Sequence, residues 1–157
     1  MSLQTQVSLS EDTVNLLQDL IQMNLDSRDG FRMASTKIDD LNLAGVFDFF
    51  AQQREMQANE LSKFVIRTGE RPRQDGTYLA AIHRTWTEIR TILASDDRLA
   101  MLEEAERGED AIKSAYEDAL RKASDTWVRD VLQEQYVHVK AGHDRIRDLR
   151  DEYRCGC

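Results

Sequence analysis

Val14, Leu17, Ile21, Asn24, Arg28 and Phe31 recur at alternating steps of three and four residues. That spacing lines up side chains on one face of an α-helix. Three further long segments repeat the pattern, and the chain's one proline, Pro72, falls between two of them. Four amphipathic stripes of this length find water-free surroundings only against one another, so the pattern demands a helical bundle.

The boundaries come from local chemistry. Ser8 stands three residues before Glu11 in capping-box spacing, with Ser10 as the alternative cap, and the first helix should run to about Lys37. Asp39 or Asp40 caps the second helix. It offers two neighbouring seams, Val46–Phe50–Gln53–Gln57–Glu60–Phe64 and Phe47–Phe50–Arg54–Gln57–Leu61–Phe64. Thr68-Gly69 supplies a C-terminal stop and Pro72 forbids continuation. The loop "RPRQDGT" leads to a shorter third helix, "YLAAIHRTWTEIRTIL", in which His83 and Trp86 share a face suited to packing on the bundle. Ser95, Asp96 and Asp97 restart the chain with negative charge where the helix dipole favours it. A fourth helix is expected from about Asp96 to Lys122, with Leu99, Leu102, Ala105, Glu106, Glu109, Ile112, Tyr116 and Leu120 facing inward. Ser124-Asp125 caps the last helix.

Four helices of about 25 residues, each about 38 Å long at 1.5 Å per residue, with a short one between the two long pairs, predict an all-α, ferritin-like four-helix bundle: two hairpins joined by a crossover. Residues 10–153 form one domain, with tails at 1–9 and 154–157. Gly108 and Gly142 lie mid-helix, where glycine costs about 1 kcal/mol against alanine. They are expected to mark close helix approach, of one to the other.

Each stripe is polar at its middle: Asn24 and Arg28 on the first helix, Gln53, Arg54, Gln57 and Glu60 on the second, Glu106 and Glu109 on the fourth, Gln135, His138 and His143 on the last. Ferritin-like di-metal centres sit at that level and draw on one Glu from each of two helices and a Glu-x-x-His from each of the others. Three residues before His83, His138 and His143 stand Ala80, Gln135 and Lys140, so the chain contains no Glu-x-x-His. The favoured reading is therefore a salt-bridged polar core of Arg28, Arg54, Glu106, Glu109 and His143 without a cofactor, because a guanidinium forks onto a carboxylate with two parallel hydrogen bonds. The alternative is an irregular iron or manganese site, and with it an oxidase, built from Glu60, Glu106, Glu109 and His143.

A net charge of −8 disfavours nucleic acid and anionic membranes as partners. No run of about 18 apolar residues or secretory leader is visible, so a cytoplasmic location is expected. Nucleophile elbows, phosphate loops and dinucleotide fingerprints are absent from the sequence. Cys155 and Cys157, in the terminal "CGC", could chelate a soft metal or exchange disulfides, but lack the electropositive surroundings that lower a thiol's pKa. A frayed terminus is the favoured reading there.

"DSRDGF", "HRTW", "MLEEAERGEDAIKSAYEDAL" and "QYVHVKAGHDRIRDLRDEY", in that order, resemble an uncharacterised bacterial family. Its members are described as ferritin-like four-helix-bundle proteins of unknown function. The resemblance spans Asp12 to Tyr153 and implies the fold without assigning an activity. The wider ferritin-like group suggests a role in stress conditions. The expectation is a non-enzymatic bundle acting as a homodimer through its surfaces.

Overall fold

A computed structural model describes residues 9–72, 87–88, 91–92 and 97–156 of the protein. Among these, four long helices and no strand occur: α1 (Glu11–Lys37), α2 (Leu41–Arg67), α3 (Arg98–Lys122) and α4 (Thr126–Cys155). The expected short helix over 78–93 lies outside the described residues, except that 87–88 and 91–92 are helical.

Ser10 caps α1, its hydroxyl accepting from the Thr13 N–H at 3.2 Å. Asp40 caps α2 by accepting from Asn42 and Leu43 at 3.0 and 3.2 Å. Gly69, at φ 90°, follows the Thr68 C-cap, a left-handed position that glycine occupies without a Cβ penalty. Of Ser95, Asp96 and Asp97, the described residue Asp97 caps α3, its carboxylate accepting from Ala100 N–H at 3.0 Å. At the far end, α4 continues through Arg154 and Cys155 before Gly156 turns left-handed. The C-terminal segment expected as a tail from 154 is thus partly helix.

α1 packs along α2 and α3 along α4, with α1 also touching α3. Asp40 marks one end of the bundle. Its carboxylate accepts from the Tyr153 hydroxyl at 2.6 Å and stands 3.9 Å from Arg98, so the start of α2, the start of α3 and the end of α4 meet there. Trp127 against Phe64, with ring centroids 5.0 Å apart, marks the opposite end. Between them, Phe31 stacks on Phe47 and meets Phe50 at a tilt, and Leu17, Ile21, Leu61, Leu102, Ile112, Leu132 and Ile146 are buried. Of the two seams considered for α2, the one through Phe47, Arg54 and Leu61 is inward: all three are at most 1% exposed, whereas Glu60 is exposed.

Candidate functional site

Arg54 is fully buried, and its Nη2 donates to Oε2 of Glu109, which is 1% exposed. Nη1 donates to Gln57 Oε1 at 3.0 Å. One turn further along α2 a second relay crosses the bundle. Asn24 Nδ2 donates to the Tyr116 hydroxyl at 2.8 Å, Tyr116 donates to Gln135 Oε1 at 2.7 Å, and Gln135 Nε2 donates to Glu60 Oε1 at 2.9 Å. Gln57 and Gln135 also bond to each other's backbone carbonyls at 3.5 and 3.3 Å. The four helices are thereby tied together through buried side chains. Burial pushes the Tyr116 hydroxyl's pKa upward, so it remains a donor.

Burial also raises the Glu109 carboxyl pKa, while the Arg54 guanidinium pulls it back down. The ion pair depends on Glu109 remaining ionised. Glu109 Oε1, Arg54 Nε and Asn24 Oδ1 are buried without a hydrogen-bond partner among the described residues.

Gly142 explains how α4 accommodates this pair. A Cβ built there would lie 3.3 Å from Phe50 Cε1, 3.4 Å from Arg54 Nη2 and 3.6 Å from Glu109 Oε2. The close approach that its mid-helix position implied is thus to the Arg54–Glu109 pair and the Phe50 ring. Gly142→Leu should cost about 1–3 kcal/mol by overpacking, despite leucine's better helix propensity. Urea denaturation at pH 7 reads that loss, and an unchanged midpoint would mean that α4 moves aside freely.

Of the other expected core residues, His143 is buried but pairs toward the α3–α4 flank, while Arg28 and Glu106 lie at the edges of the bundle. Arg28 is at the rim of α1, paired with Asp29 at 2.9 Å and Glu55 at 3.3 Å. It belongs to a different layer because its long side chain leaves the seam for water and carboxylates. Glu106 is half-buried against Arg150, on the α3–α4 flank. The same flank carries Glu103–Arg154 at 3.0 Å and His143 Nε2 against Asp110 Oδ1 at 2.5 Å. Nδ1 of His143 faces Asp144 at 3.2 Å, which holds the Asp144 carboxyl below its usual pKa. The inward carboxylates expected on α3 thus separate, Glu109 into the core and Glu106 onto the flank.

Glu60, Glu106, Glu109 and His143, the alternative metal set, meet four different partners: Gln135, Arg150, Arg54 and the Asp110–Asp144 pair. Among the described residues no group of three or more His, Cys, Asp or Glu side chains is placed to hold a metal ion. Tyr116, read from the sequence as apolar packing, is the hub of the second relay. Its alternation with Ile112 and Leu120 gave no sign of a buried hydroxyl. Arg150 and Asp110, the partners of Glu106 and His143, were also missed, although charge pairing across an α3–α4 hairpin is the signal that finds them. Cys155 is exposed, and no described helix is long and apolar enough to cross a membrane.

No curated protein matches the chain. Residues 12–122, which cover α1, α2 and α3, match the family described as "Domain of unknown function (DUF2383)", and the chain belongs to that family.

Proposed function

We propose that the protein is a non-enzymatic, ferritin-like helical bundle of the bacterial cytoplasm, acting as a homodimer through its surfaces in stress conditions, with a salt-bridged polar core at the level where ferritin-like relatives hold two metals. The observation that carries this reading is the buried Arg54–Glu109 pair. A guanidinium beside the one fully buried carboxylate of that layer supplies the positive charge that a metal ion would supply. The remaining groups there are carboxamides and a phenol hydroxyl engaged with one another, and the exposed Glu60 carboxylate, which accepts from Gln135. That is a poor fit to a di-metal centre, which needs several carboxylates and imidazoles converging on one point.

The ferritin-like assignment draws on direction. α2 and α3 both start at the Asp40 end, so α2 ends and α3 begins at opposite ends of the bundle. A simple up-down-up-down bundle would have α3 start at the Trp127 end.

Metal content per chain tests the proposal directly. Protein purified without chelator, after growth in iron-supplemented medium, is expected to carry a negligible fraction of iron or manganese by mass spectrometry. One or two ions per chain, lost on Glu109→Ala, would overturn it in favour of a ferritin-like oxidase or metal-binding protein.

A further inference from the structure

Between α2 and α4 runs an open groove. A cavity of about 620 Å³ occupies its Leu41 end and one of about 400 Å³ its Glu60 end, with Phe49, Gln53 and His138 lining both. Along its α2 edge, Leu41, Phe49 and Met56 are 86%, 60% and 71% exposed. Apolar side chains in a row on a charged, water-facing protein mark a contact surface. Gly45 lies in the same row, and a Cβ there would meet nothing within 4 Å. Helix propensity disfavours glycine at that site, and no packing within the protomer asks for it, whereas a second helix drawn close would.

The groove is self-complementary. Gly142 lies against Phe50 and Arg54, and Gln135 bonds Gln57, which fixes the level of α4 against α2. The point midway between Glu134 and Arg145 on α4 therefore falls, within one residue, beside Gln53. Gln53 is also at the midpoint between Phe49 and Met56. A two-fold axis through that level sets Phe49 of one copy on Met56 of the other, an aromatic–thioether contact, and Gly45 opposite Glu60. It also sets Arg145 opposite Glu134. Both of these charged residues are exposed at opposite ends of the groove. One patch thus presents its positive end to its own negative end, as an isologous interface requires. Gln53 Oε1, buried in the groove without a partner among the described residues, lies near the axis, where the carboxamides of a second copy become available.

We infer that the α2–α4 groove is the site at which a second copy of this chain docks, antiparallel, about a two-fold axis near Gln53. The inference rests on the homodimer reading above and adds the face and the pairing. Sedimentation equilibrium of the full chain tests it, with thermal melting to show that each variant, all at exposed positions, remains folded. The wild type should sediment as a dimer, and Phe49→Glu should raise the dimer dissociation constant at least about 100-fold. Arg145→Glu and Glu134→Arg should each raise it about tenfold, and the double swap should restore it, because like charges then face opposite ones again. A wild-type dimer indifferent to all of these variants would overturn this face while leaving the homodimer standing. A wild-type monomer at about 100 μM, a concentration well above typical dissociation constants for stable dimers, would overturn both and assign the groove to another protein or to another segment of this chain.

Discussion

Arg54→Met is expected to destabilise the protein by about 3–5 kcal/mol at pH 8, measured by urea denaturation, because it leaves Glu109 as an uncompensated charge in the core. Arg54 and Glu109 are at most 1% exposed, so water cannot solvate what remains. The loss should shrink as the pH falls. Burial already places the folded-state pKa of Glu109 above its ordinary value, and Arg54 is the principal influence opposing that rise. A carboxyl whose pKa is higher in the folded state stabilises the fold fully below its unfolded pKa, and that contribution is lost as pH rises through the folded pKa. Without Arg54 the folded value moves higher still, so the variant goes on losing stability up to a higher pH than the wild type does, and it recovers in acid as Glu109 takes up a proton. Comparing melts at pH 5 and pH 8 isolates this term. The double variant Arg54→Met, Glu109→Met should regain most of the loss, since an apolar pair of similar volume replaces a desolvated ion pair at little net cost. A neutral Arg54→Met at pH 8 would show that the pair does not sustain the core.

The helices were legible because their signals are local. A serine or aspartate ahead of an apolar stripe, a Thr-Gly stop and one proline fix termini through backbone hydrogen bonds a few residues apart. Asp97 caps the third long helix, and sequence does not rank it against Ser95 and Asp96, which carry capping oxygens of the same kind. Facing was harder. The two seams proposed for α2 differ by about one residue in rotation, and only packing across the bundle, such as that of Phe31 on Phe47 and Phe50, chooses Arg54 over Gln53 for the centre. Glu106 and Glu109 were indistinguishable in sequence, three residues apart on one stripe. What separates them is non-local: Arg150 on α4 reaches Glu106 at the flank, while Gly142 opens room beside Glu109. The same holds for Arg28, whose partner Glu55 lies on another helix. Tyr116 was the hardest, since nothing in its neighbours on α3 announces that Asn24 and Gln135 converge on its hydroxyl.

Phe31→Ala tests the apolar half of the same core and should differ in kind from the loss of Arg54. The Phe31 ring is fully buried, with its centroid 5.7 Å from that of Phe47 and 5.4 Å from that of Phe50. Truncation removes the transfer energy of the ring, its aromatic contacts and the packing around the space it filled, about 3–5 kcal/mol together. None of these contributions titrates, so the loss should be the same at pH 5 and pH 8 within about 0.5 kcal/mol, the accuracy to which separate sites add. Phe31→Leu, which keeps most of the volume, should cost about 1.5 kcal/mol or less. The Phe50 ring links the two halves, because it touches both Phe31 and the space above Gly142 that borders Arg54. If Phe31→Ala became pH-dependent, with more of the loss at pH 8, the cavity would have let Phe50 swing away and uncover Glu109. Pairing Phe31→Ala with Arg54→Met in a double-mutant cycle distinguishes the cases. Additive losses mean an aromatic cluster and an ion pair that merely adjoin. A coupling of 0.5 kcal/mol or more means that the rings hold the guanidinium in place.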